Sequence, residues 1–341
     1  MIIVWLFISF IIILTLGLFL NLKPGKPSHT RFSFVIACKN EADNLPGLFS
    51  SLEKISYPEK DFEIILVDDN STDNTFIMMQ EFALKKASYH ALRLDHPNKG
   101  KKMAIKKGIE FAMFPYIILT DADCLPPVTI LETISKYIDP NKQIDLLIGY
   151  SPEINNSLFR KFVYLITASF YASTTGLRMP FSCTGRLLVV NKASFIAVEG
   201  YKGFEDRVSG DDKLLLNKFI KHNMKIRYMY QPAMETLPVA KEILKQQDLR
   251  RFGKFTMNSL FWQTISVLLG LALLLMPYFV YKYSLWRDIL ILYIVSCLYL
   301  FVSARKHHAA FHPINLLIIV IYPYYLIIKS IHGIFKRWTW K

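Results

Sequence analysis

The run YIILTDADCLPP, residues 116–127, leads an apolar stretch into two aspartates separated by one residue and then into two prolines. A β-branched and aromatic run closed by proline reads as a core strand, and residues two apart on a strand share a face, so Asp121 and Asp123 point the same way. Two carboxylates on one face attract a cation. Other polar residues recur in similar places: Lys39, Asn40 and Glu41 follow FSFVIAC, and Asp68 and Asp69 close FEIILVDD. The cluster NKGKKMAIKKG (98–108), which contains Lys101, lacks the G-x-x-x-x-G-K-[ST] spacing and excludes a P-loop. Taken singly, each of these fits a solvated turn or helix face. Their recurrence at three strand ends singles them out. Cys38, Cys124, Cys183 and Cys297 form no C-x-x-C pattern, so neither a zinc site nor a disulfide framework is indicated.

These side chains need a scaffold that gathers strand ends. Strand-like runs fall at 32–38, 62–69, 116–123, 145–150 and 186–192, with helical stretches between them. In the first of these stretches Leu45, Leu48, Leu52 and Ile55 recur at helical spacing. Such alternation predicts an α/β fold with a mostly parallel sheet, whose ligands bind beyond the carboxyl ends of the strands. DDNSTDNT (68–75) combines turn formers with a helix start.

Of 341 residues, 52% are hydrophobic and 20% charged, a balance that calls for a soluble domain plus membrane segments. Residues 1–22 read as a retained transmembrane anchor: the apolar run lacks preceding basic residues and is followed by NLKPGKP, no cleavage site. Residues 30–240 read as the soluble domain, 241–258 as an interfacial amphipathic helix, 259–330 as further membrane helices and 331–341 as a basic tail. Segments 259–281 and 288–304 are long enough to span, whereas 314–328 is a weaker fourth, short and holding Pro323, ambiguous between a span and a re-entrant or interfacial helix. Lys23, Lys26 and Arg31, then Arg250, Arg251 and Lys254, then RKHH (305–308) flank the apolar runs and place one side in the cytoplasm. The basic tail FKRWTWK argues against a fourth crossing. The net charge of +14 lies largely beside these runs, which points to anionic lipid and away from nucleic acid.

As an ordered set, FVIACKNEADNL, ILVDDNSTDNT, NKGKKMAIKKG, ILTDADC, SGDD and QQDLRR resemble the inverting family 2 glycosyltransferases of GT-A fold. The likeness is to membrane-embedded members such as ceramide glucosyltransferase, hyaluronan synthase and cellulose synthase, over about residues 30–255. It implies a GT-A domain with flanking transmembrane helices. It also implies that Asp69, with Asp68 beside it, holds the nucleoside of a nucleotide sugar in a pocket bordered by Lys39, Asn40 and Glu41, and that Lys101 approaches the nucleotide. Asp121 and Asp123 match the D-x-D motif that binds Mg²⁺ or Mn²⁺ on the diphosphate, hard oxygen donors for a hard cation. Gly185, in CTGR, matches the segment beside the acceptor; Asp212 matches the general base and Asp211 precedes it. The closing Q-x-x-R-W motif is altered: Gln247 and Arg250 are kept, and Arg251 stands where the tryptophan belongs.

The resemblance implies an integral protein of a bacterial-type plasma membrane with its catalytic domain in the cytoplasm. Such an enzyme moves a sugar, from UDP by analogy, to a lipid or lipid-linked hydroxyl with inversion. A processive β-glycan synthase and a polyprenyl-phosphate sugar transferase are the alternatives, and the altered Q-x-x-R-W weighs against the first.

Overall fold

The computed structural model describes residues 1–95, 100–138, 143–152, 157–205, 207, 210–232, 235–236 and 259–335. The chain divides into two compact units, residues 21–154 with 182–237, and residues 1–20 with 155–181 and 238–341.

The first unit is built on a sheet of seven described strands: β1 (Phe32–Cys38), β2 (Phe62–Asp68), β3 (Tyr89–Arg93), β4 (Tyr116–Asp121), β6 (Leu146–Tyr150), β7 (Leu188–Asn191) and β8 (Ile226–Pro232). Its order is β3-β2-β1-β4-β7-β6-β8, with β5 (Cys124–Leu125) paired antiparallel to β9 (Glu235–Thr236) outside it. Strands β1 to β4 run parallel, as do β6 and β8, while β7 is antiparallel to both β4 and β6. The carboxyl ends of β1, β2, β4, β6 and β8 therefore share one edge with the start of β7. Register aligns Cys38 with Asp68 and Ala37 with Asp121, so Lys39 and Asp69 leave their strands at the same level and β4 ends one residue earlier, at Asp121. Strand β2 is fully buried and β1 is buried at all but Ala37, and both read as largely apolar runs because both faces are covered. Helix α2 (Leu45–Glu53) covers one face through Leu45, Leu48 and Leu52, which join Phe34, Ile36, Ile64 and Ile118 in the core.

Helices α3 (Thr75–Ala83), α4 (Lys101–Phe111), α5 (Ile130–Ser135), α7 (Lys192–Ala197) and α8 (Asp211–Lys221) complete this unit. Strand β4 stops at Asp121, and Ala122 and Asp123 form a turn, so the two aspartates are not alternate residues of one strand as their spacing suggests. Strands β3 and β8 were not anticipated from the sequence.

The second unit is helical: α1 (Ile2–Phe19), α6 (Leu158–Gly176), α9 (Leu260–Tyr283), α10 (Trp286–Lys306) and α11 (Asn315–Phe335). Among the described residues α1, α9 and α10 are long and apolar enough to cross a membrane. Helices α1 and α10 run parallel: Trp5 Nε1 donates to Asp288 Oδ1 at 3.1 Å at one end, and Lys306 Nζ lies 4.6 Å from the Phe19 ring centre at the other. Ser284, at φ 48°, turns α9 into α10, and Val4, Phe7 and Ile8 of α1 pack against Met276 and Val280 of α9. The start of α9 thus lies at the Phe19 and Lys306 end.

Helix α6, which the sequence reading keeps within 30–240, clusters with these helices. Phe162, Val163 and Leu165 share an apolar cluster with Leu300, Ala304, Ile318 and Tyr322, and Ser173 Oγ lies 3.2 Å from Tyr299 Oη. Gly17 of α1 meets α6 so closely that a Cβ there would lie 2.3 Å from Ser173 O.

Candidate functional site

Lys101 links the carboxylates that the sequence singles out. Its Nζ lies 2.6 Å from Asp121 Oδ1 and 3.2 Å from Asp211 Oδ2. Burial alone would lower its pKa, but the Asp121 and Asp211 charges outweigh that and hold it well above the lysine range. It is an ammonium at every working pH. Two local features aim it. Gly100, at φ 99°, turns the chain into α4 in a conformation L side chains rarely adopt. Its N–H donates to Asp69 Oδ1 at 2.7 Å, tying α4 to the end of β2.

Asp211 and Asp212 open the first turn of α8, after Gly210 at φ 86°. Asp212 is buried, and its Oδ1 accepts from Lys213 N at 2.7 Å. A Cβ added at Gly185 would lie 3.6 Å from Asp211 Oδ2, 3.7 Å from Lys101 Nζ and 4.0 Å from Asp212 Cβ. Position 185 therefore overlies the ion pair, and among the described residues no neighbour requires a glycine there. The antiparallel course of β7 brings it to this edge.

Asp121, Asp123 and Cys124 place ligand atoms within 4.8 Å of one another. Burial, and then the Asp121 charge, push the Asp123 carboxyl above its usual range, with Arg186 acting in the opposite direction. Burial also pushes the Cys124 thiol up, and its Sγ lies 3.5 Å from Asp123 Oδ1. The donors available without deprotonating a thiol are carboxylate oxygens, which fit Mg²⁺ or Mn²⁺ better than zinc. Two crowded carboxylates, one destabilised as an anion, are the chemistry a divalent cation relieves.

The two aspartates closing β2 are not equivalent. Asp68 is fully buried and committed to the protein: Arg93 Nε lies 2.9 Å from its Oδ2, and Ser71 N donates to its Oδ1 at 3.2 Å. Asp69 is gripped by the Gly100 N–H and, at 3.2 Å, by Lys39 Nζ, which is half exposed. Asn40, at φ 51°, has its N–H accepted by Ser71 Oγ at 3.0 Å and accepts from Thr72 N at 2.9 Å. Glu41 N donates to Thr75 Oγ1 at 2.8 Å and Glu41 Oε2 accepts from Asn44 Nδ2 at 2.5 Å. The loops after β1 and β2 are thereby stitched into one wall.

Thus Lys101, Asp121, Asp211, Asp212 and Gly185 come together, as do Lys39, Asn40, Glu41, Asp68 and Asp69, with Gly100 joining the groups. Gln247, Arg250, Arg251 and the helix expected over 241–258 lie outside the described residues.

Three contributors escaped the sequence reading. Arg186 sits beside the quoted Gly185 and acts on Asp123. Arg93 lies on the unread strand β3 and stacks 4.8 Å from the Phe76 ring centre. Tyr201 is buried where the Asp211 and Asp212 charges reach its phenol; burial first, then Asp211, push it well up. Only Arg186 had a sequence signal, its place in CTGR.

Comparison with known proteins accords with this geometry. The family model described as glycosyl transferase family 2 matches residues 33–190. A poly-beta-1,6-N-acetyl-D-glucosamine synthase of Staphylococcus epidermidis is 34% identical over 128 residues, 36% of this chain and 29% of that protein. An uncharacterized protein of Methanocaldococcus jannaschii is 34% identical over 113 residues, 47% of its length. The chain therefore matches less than half of either relative. Among solved structures, a mannosyltransferase from Pyrobaculum calidifontis in complex with GDP-Man and Mn²⁺ aligns over 97% of this chain and 96% of its own, at TM-score 0.57 and 16% identity. That is a likeness of fold. The matched segment holds the wall, Lys101 with Asp121, and the D-x-D turn, while Asp211 and Asp212 lie beyond it; over residues 33–190 the chain carries a glycosyl transferase family 2 domain of GT-A fold.

Proposed function

We propose that this protein is a membrane-anchored, divalent-metal-dependent, inverting glycosyltransferase that moves a sugar from a nucleotide donor to the hydroxyl of a lipid or lipid-linked acceptor. The observation that carries the reading is the bridge at Lys101, which ties the D-x-D carboxylate Asp121 to Asp211 of the GDD turn. Donor phosphates and reacting hydroxyl need just such neighbours. The wall of Lys39, Asn40, Glu41 and Asp69 receives the nucleoside, Asp68 holding the turn that presents it. Asp121 and Asp123 hold Mg²⁺ or Mn²⁺, which when bound neutralises charge on the departing nucleoside diphosphate. Lys101 adds a second positive charge beside the diphosphate, and Gly185 leaves room above it. Gln247, Arg250 and Arg251 supply cationic and polar contacts to the same group. Asp212 takes the proton from the acceptor hydroxyl as the new bond forms. The basic residues Lys23, Lys26 and Arg31 that follow α1 support a domain on the cytoplasmic side of a bacterial-type plasma membrane.

The name of the staphylococcal relative favours a second reading, a synthase that extends a polysaccharide, and the mannosyltransferase in complex with GDP-Man keeps guanosine donors beside UDP-sugars. One experiment separates these. Membranes containing the full chain are incubated with Mn²⁺ and a panel of labelled UDP- and GDP-sugars, and the product is identified by mass spectrometry. A single sugar on a solvent-extractable lipid supports the proposal; an insoluble, growing polymer supports the synthase; no turnover of any donor refutes both.

A further inference from the structure

The path of the chain beyond α10 is fixed by contacts along that helix. Ala309 N donates to Ala304 O at 2.9 Å, the Phe311 ring lies 6.0 Å from Phe301, and Tyr293 Oη donates to Leu316 O at 3.2 Å. Between Ala309 and Leu316 the chain therefore runs back from the level of Ala304 to that of Tyr293, about 16 Å at ~1.5 Å per helical residue. Residues 309–312, outside any helix at up to ~3.3 Å each, and the turn into α11 over 313–316, at ~1.5 Å each, together reach that distance. Helix α11 then reverses the direction. Ile318 and Tyr322 join Leu300 and Ala304 in one cluster, and Tyr322 and Tyr325 pack edge-on against Phe162 and Phe159 of α6, with ring centres 5.2 and 5.0 Å apart. A fourth crossing antiparallel to α10 would carry Tyr322 and Tyr325 towards the Trp286 end. Here they climb towards the Lys306 end.

The backbone chemistry suits a turn made inside an apolar layer, where an unpaired N–H is costly. Pro313 has no N–H, Ile314 N donates to His312 Nδ1 at 3.2 Å, and the N–H groups of Asn315 and Leu316 reach the carbonyls of His312 and Pro313 at 2.9 and 3.0 Å. Charge agrees independently. Arg305 and Lys306 mark the end where the segment enters, and the tail FKRWTWK adds basic and aromatic residues of the kind that sit among anionic head groups.

We infer that residues 307–335 are a re-entrant loop and helix that dips into the leaflet on the basic side and returns to that side. This rests on α1, α9 and α10 being spans and is independent of the reaction catalysed.

The test uses the full chain with Cys38, Cys124, Cys183 and Cys297 replaced by serine and single cysteines at Lys26, Tyr283 or Lys341. Retention in carbonate-washed membranes, with opposite labelling of Lys26→Cys and Tyr283→Cys by an impermeant maleimide in intact cells, establishes the spans themselves. Lys341→Cys is then expected to label only under the conditions that label Lys26→Cys. Labelling of Lys341→Cys together with Tyr283→Cys overturns the inference. Alkaline phosphatase fused after Lys341 gives a second readout that does not depend on thiol access. It should match the activity of a fusion after Lys26, and activity matching a fusion after Tyr283 overturns the inference equally.

Discussion

Among single residues, Asp123 gives the sharpest expectation. Asp123→Asn removes the charged oxygen a hard cation prefers, so calorimetric titration with UDP and Mn²⁺ should show no metal-stimulated binding; undiminished, metal-dependent affinity would remove the residue from the site. The same carboxyl sets a pH dependence. Burial and the Asp121 charge raise its pKa, and proton and cation compete for its oxygens. Mn²⁺ affinity should therefore weaken as pH falls through that raised value, at a higher pH than a solvated aspartate would produce, and an affinity flat across that range would contradict this. Asp212→Asn should bind UDP and Mn²⁺ normally yet transfer sugar roughly 10²- to 10⁴-fold more slowly, about 3 to 5 kcal/mol of barrier. Asp211→Asn should be milder. Near wild-type transfer by Asp212→Asn would move the base elsewhere. The sequence disclosed these carboxylates because their types recur at strand ends, whereas Tyr201 and Arg93 act through burial and pairing that no spacing encodes.

The sheet was legible where burial makes the pattern emphatic. Strands β1, β2 and β4 are apolar runs ending in charge, and they appear with bounds within two residues of those read from the sequence. Strand β3, YHALR, is a short edge strand, mostly half-exposed, whose mixed polarity hides it. Helix α6 is legible as an apolar, aromatic-rich segment with basic ends, which fits a lipid-facing helix or a packed core helix, and it clusters with the apolar helices. Thr167, Ser169 and Thr175 satisfy themselves on the carbonyls of Val163, Leu165 and Tyr171, so they cost little among apolar neighbours. The α1–α6 crossing supplies a prediction at this scale. Gly17→Leu would drive side-chain atoms into the Ser173 carbonyl. It should cost about 1 to 3 kcal/mol, as overpacking does, and lower the thermal midpoint of the detergent-solubilised protein. An unchanged midpoint would mean the two helices do not meet at Gly17.

For the whole molecule, the parallel course of α1 and α10 brings Phe19 and Lys306 to one end, and in the sequence Lys23 and Lys26 follow Phe19 as Arg305 precedes Lys306, which is the physical reason a count of basic residues could indicate sidedness. Cysteines at Lys101 and Tyr283 in a cysteine-free chain should react oppositely with an impermeant maleimide in intact cells; labelling at Lys101 from outside would deny the site its cytoplasmic donor. What the sequence could not show is how separated segments close one site, because the antiparallel turn of β7 and the reach of Lys101 are products of the complete sheet. The most direct measurement is sugar transfer by the full chain in proteoliposomes supplied with labelled nucleotide sugar, acceptor lipid extract and Mn²⁺. The account predicts lipid-borne label that chelation abolishes, that added Mn²⁺ restores and that Asp123→Asn eliminates. Transfer that continues undiminished under chelation, or in Asp123→Asn, would contradict it.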